Sequence, residues 1–357
     1  MAQRVSAEVG QQVEALELDN VIRIEKIPRR LYPQGTLAAQ ILGFMGGDLQ
    51  GYYGVEGKFQ DQMAGRPREE VISNIPFEVT DQQEADKGND IYLTLDRDIQ
   101  FLIESELQQS ITETGATGGT IIVMNPRTGD ILGMASWPSF DPNDYSASPE
   151  ANWRNPAISE QYEPGSIMKV LTIAAGLDSG KISKDWTYND QGSIEVGGIK
   201  IENWDRQAHG VVDTQGILVQ SLNVGAATVS LSMGPVDFFK YMSKFNMGRL
   251  TGVNLEGEAA GTMQILGDTN YSDSNLGTDA FGQGLAATPL QMITAISAIA
   301  NDGLMMQPNI VQKIVTADGE VLSQPTALGR PITADTARLV RDMMIAVVRD
   351  GLDSDVQ

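Results

Sequence analysis

The sequence predicts an α+β fold from three features: an antiparallel strand pair around a tight turn, a long helical region after it, and one helix that is apolar on nearly every side. In the pair, Gly118-Gly119-Thr120-Ile121-Ile122-Val123-Met124 reads as a buried strand and residues 131–136 as its partner. Between them, Asn125-Pro126-Arg127-Thr128-Gly129-Asp130 places proline and glycine where hairpin turns use them. From Ile167, the residues Met168, Val170, Leu171, Ile173, Ala174, Ala175 and Leu177 leave almost no polar face, so this helix is expected inside the core. No internal repeat is evident.

The elements follow in order. Residues 2–18 carry Val5, Val9, Val13 and Leu16 at loose helical spacing and read as a surface helix, and 21–27 alternate as a strand does. Residues 37–44 form a short apolar helix ending at glycine. Gly46, Gly47, Gly51 and Gly54 make a loop before a second short helix over 55–63. The charged stretch 80–90 marks a boundary. Beyond it come a strand at 90–95 and an amphipathic helix over 97–110 through Ile99, Leu102, Ile103 and Leu107. Further on, 215–224 reads as helical and carries Ser221-Leu222-Asn223. Phe281-Gly282-Gln283-Gly284 is a glycine turn read as structural, leading to a helix with Pro289 in its first turn. Residues 333–348 form a last amphipathic helix. At 357 residues the chain is expected to hold two domains, 1–80 and 88–357.

Composition narrows the chemistry. The hydrophobic share of 41% and charged share of 20% are those of a globular protein with a sizeable core. The net charge of −22 argues against nucleic acid and against docking on anionic lipid through a basic patch. There is one histidine, His209, and no cysteine, so a cysteine nucleophile and a His/Cys zinc cage are excluded. No cofactor or metal is expected. No window is long and apolar enough for a membrane span, and no signal peptide is visible. His209, beside Gly210, reads as a turn or satisfied core histidine. Tyr162, Trp204, Met292, Met305 and Met306 read as packing.

The chemistry centres on Glu163-Pro164-Gly165-Ser166-Ile167-Met168-Lys169. Pro164 and Gly165 punctuate the chain before the apolar helix, which sets Ser166 at its start. Residues three apart share a helix face, so the Lys169 ammonium reaches the Ser166 hydroxyl. Burial lowers a lysine pKa and frees neutral amine as a base. The helix N-terminus adds partial positive charge where an alkoxide and then an oxyanion would develop. The bland alternative is a helix cap, because Ser-x-x-Lys arises by chance about once in a chain of this size.

With Ser166-x-x-Lys169 and Ser221-x-Asn223 both present, the sequence resembles the penicillin-binding proteins, and among them the class B, monofunctional transpeptidases of division and elongation. The similarity runs nearly end to end. Tyr32-Pro33-Gln34-Gly35-Thr36-Leu37-Ala38-Ala39 and Gly54-Val55-Glu56 resemble the end of the family's pedestal domain. Asn125-Pro126-Arg127-Thr128-Gly129-Asp130, Phe140-Asp141-Pro142-Asn143 and Asn155-Pro156-Ala157 precede the serine, while Phe281-Gly282-Gln283-Gly284 and Thr288-Pro289-Leu290-Gln291 follow it in the family's order.

The resemblance implies a penicillin-binding-protein/serine β-lactamase-like fold, with 1–80 the remnant of a pedestal and 88–357 the transpeptidase domain. It implies that Ser166 attacks the D-Ala-D-Ala carbonyl of a peptidoglycan stem peptide, Lys169 is its base, Ser221 relays a proton, and Asn223 binds the substrate backbone and holds Lys169. β-Lactams would acylate Ser166. A membrane glycosyltransferase and other division or elongation proteins would be partners, at a bacterial cell membrane with the catalytic domain on the extracytoplasmic side. One departure is plain: no Lys-Thr-Gly or Lys-Ser-Gly follows Asn223. In the family that strand completes the carboxylate site and the oxyanion hole, and one lost oxyanion donor costs about 100- to 1,000-fold in rate. The expectation is therefore a sequence cut at both ends with little or no transpeptidase activity as written. Two rivals stay open: a catalytically incomplete scaffold or β-lactam sensor, and a serine β-lactamase.

Overall fold

The computed structural model describes residues 5, 7–16, 29–65 and 87–351. Two compact units are present, Met1–Pro33 and Gln34–Gln357. The first contains α1 (Ala7–Glu14), within the expected surface helix. The expected strand at 21–27 and most of the boundary stretch at 80–90 lie outside the described residues.

The second unit begins with α2 (Ala39–Leu42), which ends at Gly43 as expected. There φ is +76°, and a Cβ would lie 2.2 Å from the Tyr53 carbonyl oxygen, so only glycine fits. β1 (Phe44–Met45) and β2 (Gly51–Tyr52) pair antiparallel. The single helix expected over 55–63 is two, α3 (Gly54–Lys58) and α4 (Gln60–Met63). They break at Phe59 (φ −112°, ψ 18°), whose ring is buried with Ile41 and Val55; packing overrides local propensity there.

Next come β3 (Asp90–Leu93) and α5 (Arg97–Thr114). Asp96 caps α5 by accepting from the Asp98 and Ile99 N–H groups, and Gly115 ends it at φ +69°. β4 (Gly119–Met124) and β5 (Ile131–Trp137) form the expected antiparallel pair, in register from Gly119↔Trp137. Their side chains alternate. Ile121 and Val123 pack with Ile103 and Leu107 of α5, while Ile122 faces the opposite cluster around Leu290. β4 is half-buried rather than buried, because among the described residues β5 is its only ladder partner.

The rest of the chain is mainly helical, with short hairpins. In order it holds α6 (Pro156–Ser159), α7 (Met168–Asp178), β6 (Thr187–Asp190), β7 (Ser193–Val196), β8 (Ile199–Glu202), β9 (Gly210–Asp213), α8 (Thr214–Val219), α9 (Asn223–Met233), α10 (Pro235–Lys244) and α11 (Asp273–Thr278). Then follow α12 (Pro289–Ala300), β10 (Met305–Met306), β11 (Val311–Thr316), β12 (Gly319–Leu322), β13 (Ala327–Gly329) and α13 (Ala334–Asp350). β6 pairs with β9, β7 with β8 and β10 with β13, and β11 lies between β12 and β3. Pro289 sits in the first turn of α12, where Thr288 and Gln291 complete a capping box. α7 and α9 run through the largest core cluster, with Leu171, Ile173, Ala226 and Val229 fully enclosed. The helix predicted to be apolar all round thus lies in the main core of the second unit.

Candidate active site

Ser166 sits in a 3-10 turn, Gly165–Ile167, that leads directly into α7. The turn starts at Gly165 with φ +60°, and its N–H donates to the Gly282 carbonyl at 3.0 Å. Lys169, one turn on, is 1% exposed. Its Nζ donates to Ser166 Oγ at 3.0 Å, Ser221 Oγ at 3.0 Å and the Ser221 carbonyl at 2.7 Å. Those three acceptors match the three donors of an ammonium. Burial lowers the Lys169 pKa from 10.5 to about 8. On losing a proton, the amine keeps two donors for Ser221 and presents a lone pair to Ser166 Oγ. The Ser221 hydroxyl lies 3.3 Å from Ser166 Oγ, so the three groups form a closed triangle.

Ser221 is not on the helix expected over 215–224. α8 stops at Val219, α9 starts at Asn223, and Ser221 lies between them with φ +53°. Leu222 is fully buried, and its N–H bonds to the Ile217 carbonyl at 2.9 Å. Anchoring that side chain turns the preceding residue left-handed and aims Ser221 at Lys169. Asn223 Nδ2 donates to the Glu202 carbonyl at 3.0 Å, and the three Nζ bonds of Lys169 do not include Asn223. Two of those three bonds go to Ser221 and the third to Ser166.

Three supporting groups were given no role from the sequence. Asn203 is buried, donates to both carboxylate oxygens of Asp190 at 3.0 and 3.1 Å, and accepts from the Val224 N–H at 3.1 Å. It thereby fixes the first turn of α9 beside Ser221. Glu163 Oε1 accepts from the Gly284 N–H at 2.9 Å, tying the pre-serine segment to the glycine turn. Asp279 lies behind that turn, where a Cβ on Gly284 would come 2.9 Å from its Oδ1. The glycine turn that Glu163 and Asp279 contact did leave a mark in the sequence, as Gly-x-Gly.

His209 pairs with Asp205 at 3.0 Å, a satisfied histidine as expected. Met292, Met305 and Met306 are buried packing residues. Trp204 and Tyr162 are not: they are 59% and 41% exposed. The Trp204 indole N–H donates to the Gln220 carbonyl at 3.1 Å, and Tyr162 is held through backbone bonds to Ala287. Both are anchored by hydrogen bonds, which leaves their rings free to face water. Among the described residues, no group of three or more His, Asp or Glu side chains is placed to hold a metal ion.

A buried lysine between two serine hydroxyls, with one serine at the mouth of a helix, is the equipment of covalent acyl transfer. The penicillin-binding protein transpeptidase domain matches residues 119–356. The chain belongs to the penicillin-binding protein transpeptidase family. It is a class B member. It is 33% identical to Stage V sporulation protein D of Bacillus subtilis, covering 98% of this chain and 55% of that protein. It is 28% identical to the peptidoglycan D,D-transpeptidase FtsI of Escherichia coli, over 90% of this chain and 54% of that protein. Among solved structures, penicillin-binding protein 3 of Mycobacterium tuberculosis superposes with a TM-score of 0.80 at 34% identity, over 89% of this chain and 69% of that one. That protein has also been solved with aztreonam and with ampicillin. The chain spans about half the length of the curated relatives it matches.

Proposed function

We propose that this chain carries the acyl-transfer centre of a peptidoglycan D,D-transpeptidase of bacterial cell-wall synthesis. The observation behind the proposal is a nearly inaccessible Lys169 whose Nζ lies 3.0 Å from both Ser166 Oγ and Ser221 Oγ. Neutral Lys169 takes the Ser166 proton as Oγ bonds to the carbonyl carbon of the penultimate D-alanine. The tetrahedral intermediate collapses with cleavage of the C–N bond. The proton passes through Ser221 to the departing D-alanine amine, leaving an ester on Ser166. The amine of a second stem peptide then attacks the ester, its proton returns to Ser166, and a cross-link remains. Asn223, at the head of α9, is assigned to the substrate backbone.

A β-lactam follows the first half of this route and stops at the ester; the aztreonam and ampicillin complexes of the M. tuberculosis relative support that extension. We extend the reading to the remaining biology: a pedestal remnant over 1–80, a catalytic domain over 88–357, a place on the extracytoplasmic side of a bacterial membrane, and a glycosyltransferase among its partners. No helix among the described residues is long and apolar enough to cross a membrane.

The test is D-alanine release from a stem pentapeptide ending in D-Ala-D-Ala, with and without prior penicillin. Release that penicillin blocks, and that S166A abolishes, is the expected result for a protein that supplies the missing Lys-Thr-Gly strand, and little or no release for the chain as written. Penicillin labelling without release by the protein that has the strand would favour a scaffold or β-lactam sensor. Absence of both labelling and release would overturn the assignment.

A further inference from the structure

Asp279 is fully buried, its Oδ2 has no hydrogen-bond partner, and no step above uses it. It opens the 3-10 turn Asp279–Phe281, which packs against α7, α9, α11 and the Ser166 turn. Its carbonyl accepts from the Gly282 N–H at 3.2 Å. Gly282 and Gly284 then clasp the serine segment through Gly165 and Glu163. The fit is close on both sides. A Cβ on Gly282 would lie 2.2 Å from the Gly165 carbonyl oxygen, and one on Gly284 would lie 2.9 Å from Asp279 Oδ1. The carboxyl therefore fills the space behind a turn whose front holds the nucleophile.

Among the described residues, no cation contributes to the balance of charge at Asp279. α11 supplies the Asn275 and Thr278 side chains near the carboxyl and carries one acid of its own, Asp273. Tyr271 senses it from just before α11, and Glu163 adds a second negative charge from the serine segment. α9 carries no ionisable side chain. On α7, Lys169 directs its Nζ to Ser166 and Ser221, and Asp178 is engaged by Thr333, Thr336 and Tyr241. Burial, opposed by Asn275 and Thr278 and reinforced by Glu163, raises the Asp279 pKa from 3.8 to about 7.

We propose that neutral Asp279 is a positioning residue for Ser166: the uncharged carboxyl keeps the 282–284 turn clasped on the nucleophile's turn, and its ionisation favours release of that clasp. Opening returns the carboxyl to water and to its ordinary pKa. The closed state binds the extra proton between pH 3.8 and about 7, so opening becomes about tenfold easier per pH unit in that interval and levels off above it.

Amide hydrogen exchange at Gly165 and Gly284, corrected for the intrinsic pH dependence of exchange, reads the opening directly. From pH 5.5 to 8.5 the opening constant should rise roughly thirtyfold in the wild-type chain. It should stay flat in D279N or, if that variant does not fold, in D279S. A flat wild-type profile, or the same rise in a neutral variant, would overturn the proposal. Its bearing on acylation rests on the transpeptidase reading, whereas the exchange measurement needs no substrate. Absent D-alanine release would thus remove the function and leave the clasp to be judged by itself.

Discussion

Lys169 is a cationic side chain enclosed among apolar core residues, with its Nζ hydrogen-bonded to three serine oxygens. Because its neutral form is the base, reactivity should increase as pH rises through about 8 and fall away in acid. Second-order labelling by a fluorescent penicillin should follow that curve. Replacing Lys169 by Ala should slow labelling by about 100- to 10,000-fold, the range for losing a positioned general base. K169R should do no better, since a guanidinium does not deprotonate in this range. The serine–lysine pair was legible because three-residue spacing on a helix puts both groups on one face. Ser221 was legible as a residue but not as a geometry. Its left-handed backbone comes from burial of Leu222 and the break between α8 and α9, and no glycine announces it. Asp279 gave no signal, because an acid beside Thr278 reads as surface until the fold encloses it.

At the scale of elements, the site depends on turns that arrive from distant parts of the chain. Gly282 has φ +81° and almost touches the Gly165 carbonyl, so G282A combines left-handed strain of about 1–2 kcal/mol with a steric push on the serine turn. Both melting temperature and labelling rate should fall. Gly180 has φ +69° but open space around it, so G180A should lower stability by the strain alone and leave labelling unchanged. T288A removes one half of the α12 capping box and should cost about 1 kcal/mol, seen as a lower denaturation midpoint with an unchanged slope. The glycine end of α2, the Pro289 start and the β4–β5 hairpin were readable because their signals are local, whereas the Asp96 and Thr288 caps were not picked out. The break at Phe59 and the half-buried state of β4 were not, since each depends on what packs or pairs from elsewhere.

For the whole molecule, Asp178 is the tie between the nucleophile's helix and the last helix. It ends α7 and accepts from the Thr333 N–H at 2.7 Å, from the hydroxyls of Thr333 and Thr336, and from Tyr241. Burial alone would raise its pKa, but those hydrogen bonds bring it below the ordinary carboxylate value. The sign follows: the tie is fully made above the unfolded-state value near pH 3.9 and is lost as pH falls through the lower folded value. D178A should cost about 1–3 kcal/mol at neutral pH, and the difference from wild type should narrow in acid, as chemical denaturation at pH 7 and pH 3 would measure. The end-to-end order of short motifs made the family visible, while long-range ties such as Asp178–Thr333 have no spacing rule to reveal them.

The central claim is that Ser166, activated by Lys169, forms a covalent acyl-enzyme. Incubation with penicillin, followed by intact-mass measurement and peptide mapping, tests it most directly. Slow formation of one adduct per chain on the Ser166 peptide, absent in S166A and slower still in K169A, is the predicted result. An unmodified chain, or an adduct that persists in S166A, would contradict the account.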